Sequence, residues 1–125
     1  MSSSPRYSTP RRSERPTTGG RVAGVARALG VELMPAQRLI VDVAGEQLDG
    51  RNAYSTVIVA LPRRAGKTLL ALAVLLERAM TARRRRAWYA AQSRADAALT
   101  LRDEWAPLVG ASALSRYVPL RLGVL

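Results

Sequence analysis

Gly66, Lys67 and Thr68 are consecutive residues whose types together bind phosphate groups in nucleotide-binding proteins. In the complete pattern, GxxxxGK followed by Ser or Thr, backbone N–H groups surround the phosphates and the lysine neutralises their charge. The hydroxyl of the last residue binds Mg²⁺. Leu61 stands where the complete pattern has its first glycine. The three residues predict a site for nucleotide phosphates, with Thr68 on the metal side.

Four further residues precede Gly66 and complete the predicted binding loop: Pro62, Arg63, Arg64 and Ala65. Two adjacent cations repel each other and cost stability unless an anion lies nearby, so the two arginines favour a bound phosphate. The alternative is a pair that faces solvent, because arginine is mostly a surface residue. We expect all of residues 62–68 to contact the nucleotide.

The elements on either side of the loop would have to position it. Residues 55–61, STVIVAL, are too short for a helix and too apolar for a half-exposed strand, which predicts a buried parallel strand. Residues 69–80 are apolar on nearly every face until Glu77 and predict a helix. A second strand is predicted at 87–93 and a helix at 94–108. This order predicts an α/β fold, part of a P-loop NTPase, with a parallel sheet and flanking helices.

Upstream of the loop, Pro35 suits the first turn of a helix. Leu39, Ile40 and Val43 then recur near helical spacing, so a helix is predicted from residue 35 to residue 48. Asp49 and Gly50 would end it.

The chain is predicted to have two parts. Residues 1–20 contain Ser, Pro, Thr, Arg and Gly with little to bury, which predicts a disordered basic N-terminal arm. Residues 21–125 would form the N-terminal part of the ATPase domain. Four arginines of the arm are available for nucleic-acid phosphates, or alternatively for solvent in an unstructured tail: Arg6, Arg11, Arg12 and Arg15.

Composition narrows the possible functions. Twenty basic residues against nine acidic ones give a net charge of +11, which favours nucleic acid or nucleotides as partners. The chain has no cysteine and no histidine, so catalysis would depend on carboxylates, Lys, Arg or a bound ion. No apolar stretch approaches the roughly 20 residues that span a bilayer. We expect a cytoplasmic protein that does not bind membranes.

The motif residues and their surroundings resemble one family. LMPAQRLIVDVAGE, STVIVALPRRAGKTLLALAVLLERAM and RRAWYAAQSRADAALTLRDEW, within residues 31–105, are similar to the N-terminal ATPase region of tailed-phage terminase large subunits. That family has PRxxGK(S/T) without the leading glycine, as here. The segment AAQS, residues 90–93, resembles the family's next motif.

The resemblance implies site residues, cofactors and partners. Gln37 matches a glutamine that contacts adenine, and Arg63 matches an arginine that stabilises the leaving phosphate. Arg63 and Lys67 would thus be catalytic residues. The implied cofactors are ATP and Mg²⁺, and the implied setting is the cytoplasm of an infected or lysogenic bacterium. The implied partners are double-stranded DNA, a portal protein, a small terminase subunit and further copies of the chain in a ring.

This sequence departs from the family pattern at two places. Ala36 stands where many relatives have an aromatic residue, which puts any stacking on the adenine in doubt. A Walker B strand that ends in Asp and Glu is missing: Asp103 and Glu104 follow Arg102, and apolar residues around them recur at helical spacing. Residues of the family's nuclease are also missing. We therefore expect an incomplete fragment that binds ATP, without predicting that it hydrolyses ATP.

Two alternatives remain open from the sequence. One is another P-loop ATPase, such as a helicase fragment, or a small nucleotide kinase. The other is a basic nucleic-acid-binding fragment without catalytic activity, in which Gly66, Lys67 and Thr68 occur by chance. The second alternative predicts DNA binding that depends steeply on salt and ignores ATP.

Overall fold

The computed structural model describes residues 7–62, 66–81 and 86–117, most of them in helices. The helices are α1 (Gly19–Ala28), α2 (Pro35–Ala44), α3 (Lys67–Met80), α4 (Arg94–Leu99) and α5 (Ala106–Gly110). A π-helical turn, Thr100–Trp105, joins α4 to α5, and a 3-10 turn, Ala113–Arg116, follows. Strands β1 (Gln47–Leu48) and β2 (Arg51–Asn52) form an antiparallel hairpin.

The core lies where α1 contacts both α2 and α3. Helix α3 forms readily because Leu and Ala are strong helix formers, and its leucines recur so that one face is apolar. The helical segment 94–110 closes the core through Trp105 and Val109. The buried core residues are Val22, Val25, Ala26, Leu29, Val41, Leu70, Leu72, Ala73, Leu76, Trp105 and Val109.

Helices α1 and α2 approach closely at one glycine. A side chain on Gly19 would place its Cβ 2.8 Å from the Cα of Asp42, closer than packed atoms tolerate. Thr17 strengthens the same junction by donating a hydrogen bond from its hydroxyl to the carbonyl of Asp42, at 2.6 Å. Glycine is therefore required where α1 begins.

The hairpin turns at Asp49 and Gly50. Both residues have positive φ values, 51° and 75°, as a two-residue type I′ turn requires. An isolated bridge between Thr17 and Glu46 adds the chain before α1 to the side of this hairpin. Residues that enter α1 are thus held to the segment that leaves α2.

The predicted α/β fold with a parallel sheet is wrong. The β1–β2 hairpin is the only sheet among the described residues. Neither predicted strand, 55–61 or 87–93, is a strand in the structure. No backbone hydrogen bond links residues 55–61 or 87–92 to another described residue. Ile58, predicted to be buried, is 89% exposed. The physical reason is that the buried face of α3 packs against α1, so among the described residues a helix covers this face where a sheet was predicted.

The predicted helices agree with the structure more closely than the predicted strands do. The helix predicted at 69–80 is confirmed as α3, and the one predicted at 94–108 is confirmed as the segment 94–110. The helix predicted from residue 35 begins there but ends at Ala44, and residues 47–48 belong to the hairpin. Among the described residues, no helix is both long and apolar enough to cross a membrane.

Candidate functional site

The predicted phosphate-binding residues Gly66, Lys67 and Thr68 lie at the N-terminus of α3. Gly66 is the N-cap and has φ 82° and ψ 22°, in the left-handed region that favours glycine. Lys67 and Thr68 are the first two residues of the helix, and both are exposed. The helix predicted to begin at this motif therefore does so.

The first turn of α3 presents amide groups that donate no hydrogen bond to another described residue. The first bond into the helix runs from the N–H of Leu70 to the carbonyl of Gly66, at 3.0 Å. The N–H groups of Lys67, Thr68 and Leu69 come before it, and no hydrogen bond joins them to a described residue. Such amides, together with the positive end of the helix dipole, attract anions.

Gln37 lies against this turn although it is 29 positions earlier in the chain. It is buried, with 4% of its surface exposed, and its Oε1 accepts a hydrogen bond from the N–H of Met34 at 2.9 Å. A Cβ added to Gly66 would overlap the side-chain amide of Gln37. The structure thus brings Gln37 to the turn at Gly66, while its predicted contact with adenine stays a prediction.

The other predicted loop residues are placed only in part. Pro62 is exposed and precedes the turn. Arg63, Arg64 and Ala65 lie outside the described residues, so their predicted roles stay predictions.

Lys67 is the only lysine in the chain, and the remaining 19 basic residues are all arginine. An arginine carries its charge on a planar fork, whereas a lysine ends in a compact ammonium that a phosphate cradle can surround. A lysine at this one position, in a chain that otherwise has arginine, indicates a specific requirement there.

A cavity of about 650 Å³ lies beside α3. We call it the α3 cavity. Residues of α3 line it, beginning at Lys67, and so do residues of the segments around 54–59 and 88–90. Thr18, Val41 and Gly45 line it too. The N-terminal turn of α3 and this cavity therefore share Lys67.

Glu77 lies at the far end of the same cavity and is 4% exposed. Its Oε1 accepts a hydrogen bond from the Thr81 hydroxyl at 3.1 Å and lies 3.4 Å from Nε of Arg21. Its Oε2 lies 3.8 Å from Nε of Arg78 and accepts no hydrogen bond from the described residues. Sequence patterning gave only the end of an apolar run at this position, not a buried carboxylate beside a cavity.

A second buried carboxylate, Glu46, binds the arm that precedes α1. It is fully buried and forms ion pairs with Arg11 and Arg15, each at 3.3 Å. It also accepts a hydrogen bond from the backbone N–H of Arg12 at 3.1 Å. Burial raises the pKa of Glu46, but the Arg12 hydrogen bond and the two guanidinium groups outweigh this effect, so the pKa lies below its ordinary value.

Arg11 and Arg15, which the sequence left available for phosphates or for solvent, contact Glu46 in the structure. The Arg15 guanidinium also lies 5.9 Å from the centre of the Tyr54 ring. The division of the chain at residue 20 and the disorder of the arm stay predictions. No sequence signal pairs Glu46 with residues 31 to 35 positions earlier.

Thr68 is the one residue that the sequence predicts to bind the metal ion. The described part of the chain contains no group of three or more Asp or Glu residues placed to hold a metal ion. Asp103 and Glu104, weighed as a Walker B pair, are exposed on the helical segment 94–110, as their spacing predicted.

No protein-family model, no curated protein and no solved structure matches this chain. The similarity to terminases therefore rests on the motif residues alone.

Proposed function

We propose that the turn at Gly66, Lys67 and Thr68 binds the phosphates of ATP, and that the chain is the ATP-binding part of a phage terminase large subunit. The observation that carries the proposal is the start of α3, where a left-handed glycine is followed by the chain's single lysine and a threonine. The proposal depends on the N-terminus of α3 and does not depend on a parallel sheet.

Each residue of the turn has a role in the proposed site. The amides of Lys67, Thr68 and Leu69 donate hydrogen bonds to phosphate oxygens, and the Lys67 ammonium neutralises their charge. The Thr68 hydroxyl contributes to binding Mg²⁺. The side-chain amide of Gln37 lies against Gly66, where an added Cβ would overlap it.

The residues fit an anion because they combine exposed donors with a close backbone approach. Gly66 adopts the left-handed conformation that opens the turn, and Lys67 and Thr68 are exposed to incoming ligand. When bound, ATP supplies a phosphoanhydride bond whose cleavage drives movement in motors of the family that the sequence resembles. The function proposed for this chain is binding, since no carboxylate is assigned to the metal or to the attacking water.

The remaining parts of the proposal come from the resemblance. Double-stranded DNA, a portal protein, a small terminase subunit and a ring of further copies are the proposed partners, in the bacterial cytoplasm. The net charge of +11 suits the DNA.

A titration with fluorescent ATP in the presence of Mg²⁺ tests the proposal. Lys67→Ala is expected to weaken binding at least 10-fold, because it removes the one ammonium at the turn. Arg94→Ala is the matched control: it removes one exposed positive charge from the start of another helix and is expected to bind like the parent. Equal weakening by the two variants would show that ATP responds to overall charge, as the nucleic-acid-binding alternative requires.

A further inference from the structure

Trp88 is a large aromatic residue that the protein leaves mostly in solvent. The chain has two tryptophans, of which Trp105 is 3% exposed and Trp88 is 63% exposed. Trp88 is not isolated, because Val57 and Val59, 46% and 39% exposed, line the α3 cavity together with it. An exposed apolar surface of this kind marks a place where a ligand or partner binds.

The backbone beside Trp88 is attached to the core. Tyr89, the next residue, packs against the buried ring of Trp105, and their ring centroids lie 4.5 Å apart. Ordering a loop on binding costs conformational entropy, and an attached loop has less entropy to lose. The contact of Tyr89 therefore presents the Trp88 ring on a backbone that is already in place.

Positive charge beside Trp88 has no compensating carboxylate. Arg86 is exposed and stands two residues before Trp88. Seven other described arginines form ion pairs with carboxylates, whereas Arg86 forms none with a described residue. The sequence has no acidic residue between Glu77 and Asp96. A matching ligand has flat rings that stack on an indole and negative charges beside them.

Single-stranded nucleic acid offers both of these groups. The bases of a duplex stack on one another, whereas a base in a single strand can stack on an aromatic side chain while its phosphates meet a cation. Three alanines lie beside Trp88 in the chain, at positions 87, 90 and 91. Their methyl groups give a ribose 2′-hydroxyl no hydrogen-bond partner, which favours DNA over RNA.

We propose that Trp88 and Arg86 form a binding surface for single-stranded DNA, in which a base stacks on the indole and a phosphate pairs with the guanidinium. The surface is separate from the proposed ATP site, because no residue of the turn at 66–68 takes part. It adds a preference for unpaired strands to the proposed binding of double-stranded DNA.

Titrations of the full chain with oligonucleotides of about 12 residues test this inference, with tryptophan fluorescence as the readout. A deoxyuridine oligomer is expected to quench the exposed Trp88 and to bind at least about 10-fold more tightly than an abasic oligomer of equal charge. A uridine oligomer should bind less tightly than the deoxyuridine oligomer. A duplex of equal length, and ATP with Mg²⁺, should leave the fluorescence unchanged.

Variants measured by the anisotropy of labelled strands separate stacking from charge. In Trp88→Ala, the preference for the deoxyuridine oligomer over the abasic one should fall below about 3-fold, and Trp88→Phe should retain most of it. Tyr117→Ala is the matched control, because it removes another aromatic residue, 72% exposed, and should bind like the parent. Arg86→Ala should weaken both strands equally, since a phosphate contact does not depend on the base.

Equal affinity of the parent for the two strands would overturn the inference, as would equal effects of Trp88→Ala and Tyr117→Ala. Quenching by ATP would assign Trp88 to the nucleotide site, and quenching by the duplex would contradict the preference for single strands. Tighter binding of the uridine oligomer would overturn the choice of DNA. Self-association that Trp88→Ala abolishes, without DNA binding, would make the surface a protein interface. Failure of ATP to bind would instead overturn the proposed function and leave this surface standing.

Discussion

Two features of the structure favour glycine at position 66. Its φ of 82° disfavours any residue with a Cβ, and the space where that Cβ would lie is taken by the Gln37 amide. Sequence patterning identified this glycine from the motif alone. The structure adds that the side-chain amide of a buried glutamine lies against this glycine, which the motif could not show.

Replacement of Gly66 by alanine is therefore expected to destabilise the protein by about 1–2 kcal/mol, because of backbone strain and the displaced glutamine. Gly24→Ala is the matched control. Gly24 lies within α1 with open space around its Cβ position, so alanine there should raise stability by about 0.5–1 kcal/mol. Urea denaturation of both variants measures the effects. A Gly66→Ala protein as stable as the parent would contradict the left-handed turn.

Glu46 predicts a pH dependence whose direction follows from its lowered pKa. In the unfolded chain the carboxyl takes up a proton as the pH falls through its ordinary value of 4.5, whereas the folded protein resists until a lower pH. The unfolded state thus binds more protons in this interval, and stability falls as the medium becomes more acidic. Above the ordinary value the stabilisation is fully present.

Urea midpoints measured from pH 6 to pH 2 check this prediction. Glu46→Gln removes this carboxyl, so the free energy of unfolding should fall less steeply as the pH decreases. The difference in slope should correspond to up to about one proton. Glu104→Gln, at an exposed position, should keep the parental slope. If Glu46→Gln also keeps that slope, the cluster of Glu46 with Arg11 and Arg15 does not form in solution.

At the scale of elements, the segment 94–110 shows how a local pattern predicts structure. Its apolar residues recur every three to four positions, which predicts a helix with one apolar face. In the structure Trp105 is buried and Asp103 is exposed. The π-helical turn at Thr100–Trp105 had no signal in the sequence.

Trp105 is 3% exposed and anchors this segment to the core. Trp105→Ala should cost about 3–5 kcal/mol through lost burial and the cavity left behind. Leu99→Ala, on the same segment but 46% exposed, should change stability by less than about 0.5 kcal/mol. Thermal unfolding followed by circular dichroism compares them. Similar midpoints for the two variants would mean that the segment does not pack through Trp105.

The whole molecule explains why the strand predictions failed while the helix predictions held. A helix satisfies its backbone within its own segment, so the composition of residues 67–80 suffices to predict α3. A strand needs partners elsewhere in the chain, and the apolar run 55–61 has none among the described residues. The pairing of Glu46 with Arg11 joins residues 35 positions apart, which no local pattern encodes.

Ile58 distinguishes the observed fold from the predicted sheet. It is 89% exposed, so Ile58→Lys should change stability by less than about 0.5 kcal/mol. Val41→Lys, which places a charge at a position 2% exposed, should unfold the protein. Circular dichroism and urea denaturation measure both variants. Unfolding by Ile58→Lys would mean that residues 55–61 are buried.

The central claim is that phosphates bind at the first residues of α3, and the single lysine allows a direct measurement. An amine-selective reagent can modify only Lys67 and the amino terminus, and mass spectrometry quantifies each. Saturating ATP with Mg²⁺ is expected to slow the modification of Lys67 at least several-fold while the amino terminus reacts at an unchanged rate. Lys67 that reacts equally fast with and without ATP would contradict the claim.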